Sequence, residues 1–217
     1  TPSEDALPNL LAEGIPGERV VFVGNVMVDT LFAQLPAARA LDMPGRLGVA
    51  RGEYAVATVH RPSNVDDRDA LCAVLEALAG IAERMPVVLP IHPRTRSRIE
   101  AFGMEGLASR LRLMGPLGYN EMLSLVEGAA AVLTDSGGLQ EETTALGVPC
   151  VTLREQTERP VTVTDGTNRL APWPLTAEGV QRSFREALKT GRHEPGSRCP
   201  AGWDGRAAER VVEALAR

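Results

Sequence analysis

The 217-residue sequence predicts an α/β fold in which a parallel sheet is covered by helices on both faces. Two observations lead to this prediction. Strand-like runs alternate with helical patterns along the chain, and the strand-like runs are continuously apolar, as strands buried on both faces are. A chain of this length buries about 70% of its unfolded surface, so it needs neither a metal nor a disulfide to fold.

Short apolar runs rich in valine and leucine are the candidate strands of this sheet. They are interrupted by the helical patterns, so consecutive strands are expected to run parallel and to need helical crossovers. The candidate strands are residues 19–24, 54–59, 87–91, 111–115, 130–135 and 149–153.

The clearest helical pattern covers residues 66–85. Its residues Leu71, Leu75 and Leu78 recur near the period of 3.6 residues per turn. Asp66 is the expected N-cap of this helix. Residues 191–203 form one long loop-like stretch. The other predicted helices are 27–35, 97–102, 120–129, 138–146 (ended by Gly147), 176–189 and 205–216.

Composition and charge narrow the classes of partner. The net charge of −5 and the isoelectric point of about 5.3 argue against nucleic acid and anionic membranes. No apolar run approaches the ~20 residues that cross a bilayer. The spacing of Cys72, Cys150 and Cys199 suits neither a zinc site nor a disulfide framework. We therefore expect a cytoplasmic protein without a metal site, and a fragment of a longer chain, since it begins at Thr1 rather than at methionine.

Polar residues follow the carboxyl ends of several candidate strands, which is the edge where open parallel sheets bind ligands. His60 and Arg61 follow the run 54–59, and His92 follows the run 87–91. Ser136 and Arg159 come after later strands. Their coincidence at one edge is the best evidence in the sequence for a functional site.

The stretch VLTDSGGLQEE, residues 132–142, joins a strand to a helix through Ser136, Gly137 and Gly138. A helix N-terminus exposes unpaired N–H groups and a partial positive charge. Glycines let a phosphate approach the backbone, and Ser136 can donate its hydroxyl. A glutamate in the first helical turn can accept from ribose hydroxyls. The alternative is a tight turn in which Ser136 caps the helix, and the pattern leaves both interpretations open.

Two further residues each have a functional and a structural interpretation. His60 at a strand end can act as an acid or base, or donate to a phosphate, but a single histidine can equally be structural. Arg159 can hold a diphosphate with its guanidinium fork. Alternatively, it forms an ion pair with Glu155 or Glu158 in the loop LREQTERP.

Several stretches together resemble the signature blocks of the non-hydrolysing UDP-N-acetylglucosamine 2-epimerases. They occur in the order and spacing of that family, and the combination of DSGGxQEE with TERP is specific. With residues 9–31, which resemble the segment leading into the family's second domain, they cover nearly the whole chain. The stretches are TVHRPSNVDD (58–67), PIHPRTR (90–96), LTDSGGLQEE (133–142), LGVPCVTLREQTERPVTVTDGTNRL (146–170) and DGRAAERVVEAL (204–215).

The resemblance implies the Rossmann-like C-terminal half of a GT-B two-domain architecture, with the active site in the cleft between the halves. It divides the chain into a lead-in (1–35), a nucleotide-sugar-binding domain (36–203) and a C-terminal helix (204–217) that packs toward the N-terminal domain. The implied homodimer needs no cofactor. A GT-B glycosyltransferase and a catalytically inactive nucleotide-binding domain remain as alternatives.

The implied activity is that of an isomerase. It interconverts UDP-GlcNAc and UDP-ManNAc by elimination of UDP and re-addition, and it serves cell-envelope polysaccharide synthesis. The family's catalytic carboxylates lie in the N-terminal half. This chain by itself is therefore expected to bind UDP and not to epimerise.

The resemblance also assigns roles to residues. His60 matches the active-site histidine that contacts the diphosphate. Leu117 and Met122 stand where some members contact the uracil with glutamine and phenylalanine. Arg61 and His92 lie near residues that bind a second UDP-GlcNAc as an activator, although HRPSN here replaces the HRREN of many members. The residues assigned to UDP are Ser136, Gly137, Gly138, Glu142, Arg159, Leu117 and Met122.

Overall fold

The computed structural model describes residues 1–216, and its strands form one parallel sheet. The strands are β1 (Ala55–Thr58), β2 (Val87–Pro90), β3 (Arg112–Met114), β4 (Ala131–Thr134), β5 (Cys150–Thr152) and β6 (Asn168–Leu170). Their order is β3-β2-β1-β4-β5-β6, and every pair is parallel. This is the order of a doubly wound Rossmann-like sheet, with the reversal between β1 and β4. The predicted fold class is confirmed.

Helices cover both faces of this sheet. Helices α5 and α11 pack on one face, whereas α2, α8 and α9 pack on the other. A 3₁₀ turn covers Gly17–Arg19. The α-helices are α1 (Ala6–Ala12), α2 (Val26–Leu41), α3 (Met43–Arg46), α4 (Pro62–Val65), α5 (Arg68–Ala82), α6 (Pro93–Phe102), α7 (Glu105–Ala108), α8 (Tyr119–Gly128), α9 (Gly137–Leu146), α10 (Val161–Thr164), α11 (Ala177–Thr190) and α12 (Ala207–Leu215).

Alternate residues of β1 serve the two cores. Ala55 and Ala57 face the core with α5 and α11, and Val56 faces the core with α2 and α8. Leucines such as Leu75 and Leu125 are almost completely buried against these faces. Burying one such side chain stabilises the fold by about 1.5–3 kcal/mol. The strand ends that carry the polar residues are thus held by a core on each side.

Two strand predictions were wrong. Residues 19–24 form no strand, because the segment has no neighbouring strand: the N–H groups of Val23 and Gly24 donate to the Thr1 carbonyl instead. Conversely, β6 was missed, since Asn168 and Arg169 interrupt any apolar run. It pairs with β5 as the edge strand of the sheet.

The N-cap of α5 was also predicted one residue early. Asp67 is the cap, because its Oδ1 accepts from the Ala70 N–H at 2.8 Å. Asp66 instead pairs with Arg94 and Arg98 of α6. These ion pairs link the start of α5 to α6. Helix α6 begins at Pro93, four residues before the predicted start, and its N-cap is the predicted site residue His92.

The two ends of the described chain meet. Asp29 of α2 accepts from the N–H groups of Ala207 and Ala208, at 3.1 and 2.7 Å, and so caps the start of α12. The Trp203 indole donates to the Pro2 carbonyl at 2.9 Å. No helix within residues 1–216 is long and apolar enough to cross a membrane.

The predicted division of the chain stays a prediction. The expected boundary at residue 35 falls inside α2, which continues from Val26 to Leu41 and packs on α8. In the predicted segment 204–217, α12 leaves Val212 and Leu215 exposed. Residue 217 lies outside the described residues.

Candidate functional site

A cavity of about 420 Å³ opens at the carboxyl ends of β1 and β4, where the strand order reverses. Ligands of doubly wound sheets bind at this position. The cavity brings together five of the predicted site residues. Its lining is Thr58, Val59, His60, Pro90, Ile91, His92, Pro93, Pro116, Leu117, Met122, Ser136 and Leu139. The other predicted residues, Arg61, Gly137, Gly138, Glu142 and Arg159, lie outside this lining.

His60 is fixed by a buried carboxylate that the sequence analysis did not assign. The Nδ1 of His60 lies 2.8 Å from Oδ1 of Asp135, which is fully buried. Asp135 also accepts from the main-chain N–H of His60 at 2.9 Å and from that of Arg61 at 2.8 Å. The Asn64 amide donates to it at 3.1 Å and to the Leu153 carbonyl at 2.8 Å.

The hydrogen bond that His60 donates to Asp135 raises the pKa of His60, and it outweighs the opposing effect of burial. Burial acts to raise the pKa of Asp135, but the bonds from His60 and Arg61 dominate and hold it below its usual value. The histidine is therefore biased toward its cationic form, with its ring partly exposed at the cavity. A cation here suits a phosphate ligand.

His92 faces His60 across the cavity, with the ring centroids 5.9 Å apart. Its Nδ1 accepts from the Arg94 N–H at 3.1 Å and so caps α6. The Nε2 atom is thereby left as the donor of the neutral ring. Arg61 lies 3.7 Å from Glu158.

The turn before α9 is open on its outer side. A Cβ added to Gly137 would meet no atom within 4 Å, and one added to Gly138 would meet only the Ser136 hydroxyl at 3.9 Å. Both glycines also lack the positive φ that favours glycine elsewhere in the chain. Ser136 is the N-cap residue, but its side chain makes no capping bond. Neither crowding nor backbone strain accounts for the two glycines, and the space before them is free for a ligand.

Arg159 forms an ion pair that the sequence analysis did not anticipate. Its Nε lies 2.8 Å from Oε1 of Glu141 on α9. The predicted alternatives, ion pairs with Glu155 or Glu158, are not formed within the described chain. Glu158 pairs with Arg154 instead, because its side chain lies four residues along the same loop. Arg159 thereby joins the helix that starts at the open turn.

Glu142 is a carboxyl with an altered proton affinity. Burial raises its pKa to about 7, and the neighbouring Glu141 adds to the increase, although a hydrogen bond with Tyr119 opposes it. Burial also raises the pKa of Glu141, while Arg159 and Asn25 oppose the increase. Glu142 is thus poised to exchange a proton near neutral pH.

Three residues that contact the predicted site residues, or support them, were not predicted from the sequence: Asp135, Glu141 and Asn64. A signal for Asp135 was present, since β1 and β4 are neighbours and Thr58 is in register with Thr134. The residues that follow these two strands must therefore meet. Glu141 and Asn64 gave no comparable signal, because their partners come from loops whose paths are set by tertiary packing.

A Rossmann-like sheet with a helix N-terminus, an open glycine turn and a partly exposed histidine at its switch point is typical of nucleotide-binding α/β proteins. A model of the UDP-N-acetylglucosamine 2-epimerase family matches residues 1–216, and the chain belongs to that family. The resemblance stated from the sequence is thereby confirmed.

Two curated relatives illustrate the match. The UDP-N-acetylglucosamine 2-epimerase of Methanococcus maripaludis is 35% identical in an alignment of 200 positions, which covers 88% of this chain and 54% of that protein. The UDP-2,3-diacetamido-2,3-dideoxy-D-glucuronate 2-epimerase of Pseudomonas aeruginosa is 36% identical in an alignment of 222 positions, which covers 100% of this chain and 58% of that protein. The chain thus spans little more than half the length of these relatives.

A solved structure agrees with this coverage. The crystal structure of Methanocaldococcus jannaschii UDP-GlcNAc 2-epimerase, in complex with UDP-GlcNAc and UDP, is 34% identical and superposes with a TM-score of 0.84. The superposition covers 100% of this chain and 60% of that one. The fold described here is therefore that of one part of a GT-B-type epimerase.

Proposed function

We propose that this chain is the UDP-binding half of a non-hydrolysing UDP-N-acetylglucosamine 2-epimerase. The observation that carries the proposal is the cavity at the switch point, where His60, held by Asp135, and the open turn of α9 meet. Membership of the family supports it over the glycosyltransferase alternative.

In this proposal the diphosphate lies against the N-terminus of α9. The N–H groups of Gly137 and Gly138 and the hydroxyl of Ser136 bind the phosphates, helped by the helix dipole. His60 and Arg159 supply the positive charge. The cation of His60 is maintained by its 2.8 Å contact with Asp135.

The nucleoside extends from the diphosphate along the same wall. Glu142 accepts from the ribose hydroxyls, although it lies in the second turn of α9 and not in the first turn as the sequence predicted, because α9 begins at Gly137. Leu117 and Met122 line the apolar part of the cavity and pack against the uracil. Apolar side chains in place of glutamine and phenylalanine leave uracil to be read by main-chain groups.

The proposed reaction inverts C2 of the sugar by elimination. A base in the other half removes the C2 proton, the C1–O bond breaks, and UDP leaves with the bonding electrons to give a 2-acetamidoglucal. Re-addition of UDP, with a proton delivered to the opposite face of C2, completes the inversion. The groups of this chain act on the departing diphosphate, because they stabilise the negative charge that develops there.

Calorimetric titration with UDP tests the binding half directly. We expect saturable binding of UDP, weaker binding of GDP and much weaker but still measurable binding of UDP in Arg159→Ala. If the folded chain binds UDP and GDP equally well, or if Arg159→Ala leaves UDP binding intact, the assignment of this site is wrong.

A protein with both halves tests the reaction. In deuterated water, the epimerised sugar should carry deuterium at C2. Epimerisation without deuterium would contradict the elimination route. Transfer of the sugar to an acceptor with C2 unchanged would indicate a glycosyltransferase, and binding without turnover would indicate an inactive nucleotide-binding protein.

A second substrate deserves the same assay. The Pseudomonas aeruginosa relative is named for UDP-2,3-diacetamido-2,3-dideoxy-D-glucuronate, and its 36% identity extends over the whole of this chain. Each of the two UDP-sugars changes only at C2, so the same assay measures both. Comparison of their kcat/KM values in the two-domain protein shows which one is the preferred substrate.

Arg61 and His92 are proposed to contact a second UDP-GlcNAc as an activator. Support comes from the position of His92, which lines the same cavity with its ring 5.9 Å from His60. In the two-domain protein, the sigmoidal dependence of the rate on UDP-GlcNAc concentration should become hyperbolic in His92→Ala.

The proposal also includes a homodimer, a cytoplasmic location and a role in cell-envelope polysaccharide synthesis. Sedimentation tests the dimer.

A further inference from the structure

Glu141 contacts two distant parts of the chain at once. Its Oε1 accepts from the Asn25 amide at 3.1 Å and from Nε of Arg159 at 2.8 Å. Asn25 is itself held, because its Oδ1 caps α2 by accepting from the Met27 N–H at 2.9 Å. The glutamate thus joins the lead-in, α9 and the loop that carries Arg159.

The carboxylate is almost fully buried, whereas the Arg159 side chain is 44% exposed. Burial of a carboxylate is costly unless its hydrogen bonds are made. Here both bonds come to one oxygen from partners that the chain holds in place. The buried Glu141 thus holds the exposed Arg159 on the side that faces the protein interior.

The contact uses the Nε edge of Arg159. Of the terminal nitrogens, Nη1 donates to the Glu158 carbonyl at 3.1 Å. Because the guanidinium is planar, a bond at Nε sets the plane in which the terminal N–H groups point. Glu141 lies four residues after Gly137, so the fixed plane lies about one helical turn from the start of α9.

We propose that Glu141 is a positioning residue for Arg159. It holds the Nε edge of the guanidinium so that the terminal N–H groups are set in advance for a diphosphate at the N-terminus of α9. This inference rests on the proposed function, in which Arg159 contacts UDP. It assigns separate tasks to the two adjacent acids of DSGGLQEE, since Glu142 has no bond with Arg159 among those described and instead hydrogen-bonds with Tyr119.

A simple electrostatic role predicts the opposite result. If Glu141 only competed with the ligand for Arg159, removal of its negative charge would tighten binding of a diphosphate. Positioning predicts weaker binding, because the freed arginine must be ordered again on binding. The direction of the change separates the two roles.

The experiment is calorimetry with UDP and with uridine on wild type, Glu141→Ala and Glu141→Gln. We expect Glu141→Ala to weaken UDP binding roughly tenfold, the size of one charge-assisted hydrogen bond, and to leave uridine binding unchanged. Glu141→Gln should lose less, since it retains an acceptor oxygen. Glu155→Ala, an exposed acid in the Arg159 loop, is the matched control and should behave as wild type.

A double-mutant cycle tests whether the effect passes through Arg159. In an Arg159→Ala background, Glu141→Ala should cause no further loss of UDP affinity. An equal loss in both backgrounds, tighter UDP binding, or an equal loss for uridine would overturn the proposal. If Glu141→Ala does not fold, the same cycle with Glu141→Gln gives the answer.

A measurement without ligand keeps this inference separate from the proposed function. In ¹⁵N-labelled protein, the Arg159 Nε–H should give a signal protected from solvent exchange, identified by its loss in Arg159→Ala and lost also in Glu141→Ala. A protected signal in a chain that does not bind UDP would refute the proposed function and leave the contact intact. Absence of protection in the wild type would refute positioning itself.

Discussion

Two buried carboxylates lie at opposite ends of the same sheet and have different kinds of partner. Asp135, after β4, accepts from the main-chain N–H groups of His60 and Arg61. Glu127, before β4, pairs with Arg39 and Arg51, whose side chains are about half exposed. Main-chain donors cannot move to water, whereas arginine side chains can. The first acid is therefore locked and acts on His60, whereas the second holds a network that solvent can replace.

The largest effect is expected for Asp135→Asn, which tests whether the buried carboxylate of Asp135 is locked by its main-chain donors. The amide turns an NH₂ group toward donors that need an acceptor, so we expect the free energy of unfolding in urea to fall by about 3 kcal/mol. UDP binding should be lost with it. A variant as stable as wild type would show that the buried acid is not locked.

A smaller effect is expected from pH, through Glu142. Its pKa of about 7 in the folded state lies above the 4.5 of an ordinary glutamate. The folded state therefore binds the proton more tightly, and this stabilisation is present below pH 4.5 and lost as the pH rises toward 7. We expect the loss to be about 2 kcal/mol, and Glu142→Gln to remove it. Urea titrations at pH 5 and pH 8 measure this change in the free energy of unfolding for wild type and for Glu142→Gln. The same change in both proteins would show that Glu142 does not cause it.

At the opposite end of the sheet, Glu127→Gln tests the carboxylate whose partners are exposed. Because Arg39 and Arg51 can turn into water, the free energy of unfolding should fall by only about 1 kcal/mol. UDP affinity should stay at the wild-type value. A loss of stability as large as that of Asp135→Asn would mean that the exposure of the arginine partners does not determine the cost of replacing the carboxylate.

The smallest effect concerns the proton on His60. In wild type, NMR titration should place its pKa above the ordinary 6.5, because Asp135 holds the cation. The stability gained from this bond is present below pH 6.5 and is lost as the pH rises through the folded pKa. Asp66→Asn is the control, since Asp66 pairs with Arg94 and Arg98, and it should leave the His60 titration unchanged. A His60 pKa at or below 6.5 in wild type would contradict the assignment.

The sequence was sufficient to locate the cavity, because residues that directly follow parallel strands lie at the same edge of the sheet. His60, His92 and Ser136 each follow a strand and now line one cavity. The apolar run 19–24 forms no strand, since apolar character does not supply a pairing partner. The partner of Arg159 could not be predicted either, because the loop packs against α9 only in the complete fold.

The hydrogen bonds between the two ends of the chain have a consequence for biosynthesis. Trp203 donates to Pro2 across 201 residues of sequence, and Asp29 caps α12. Within this chain the lead-in leaves the ribosome before Trp203 and α12, and these two partners are complete only when translation has passed residue 208. The lead-in must therefore wait, with Phe22 and its apolar neighbours uncovered, while the sheet forms behind it. Closure of this part of the chain is thus expected to be a late step in folding during synthesis.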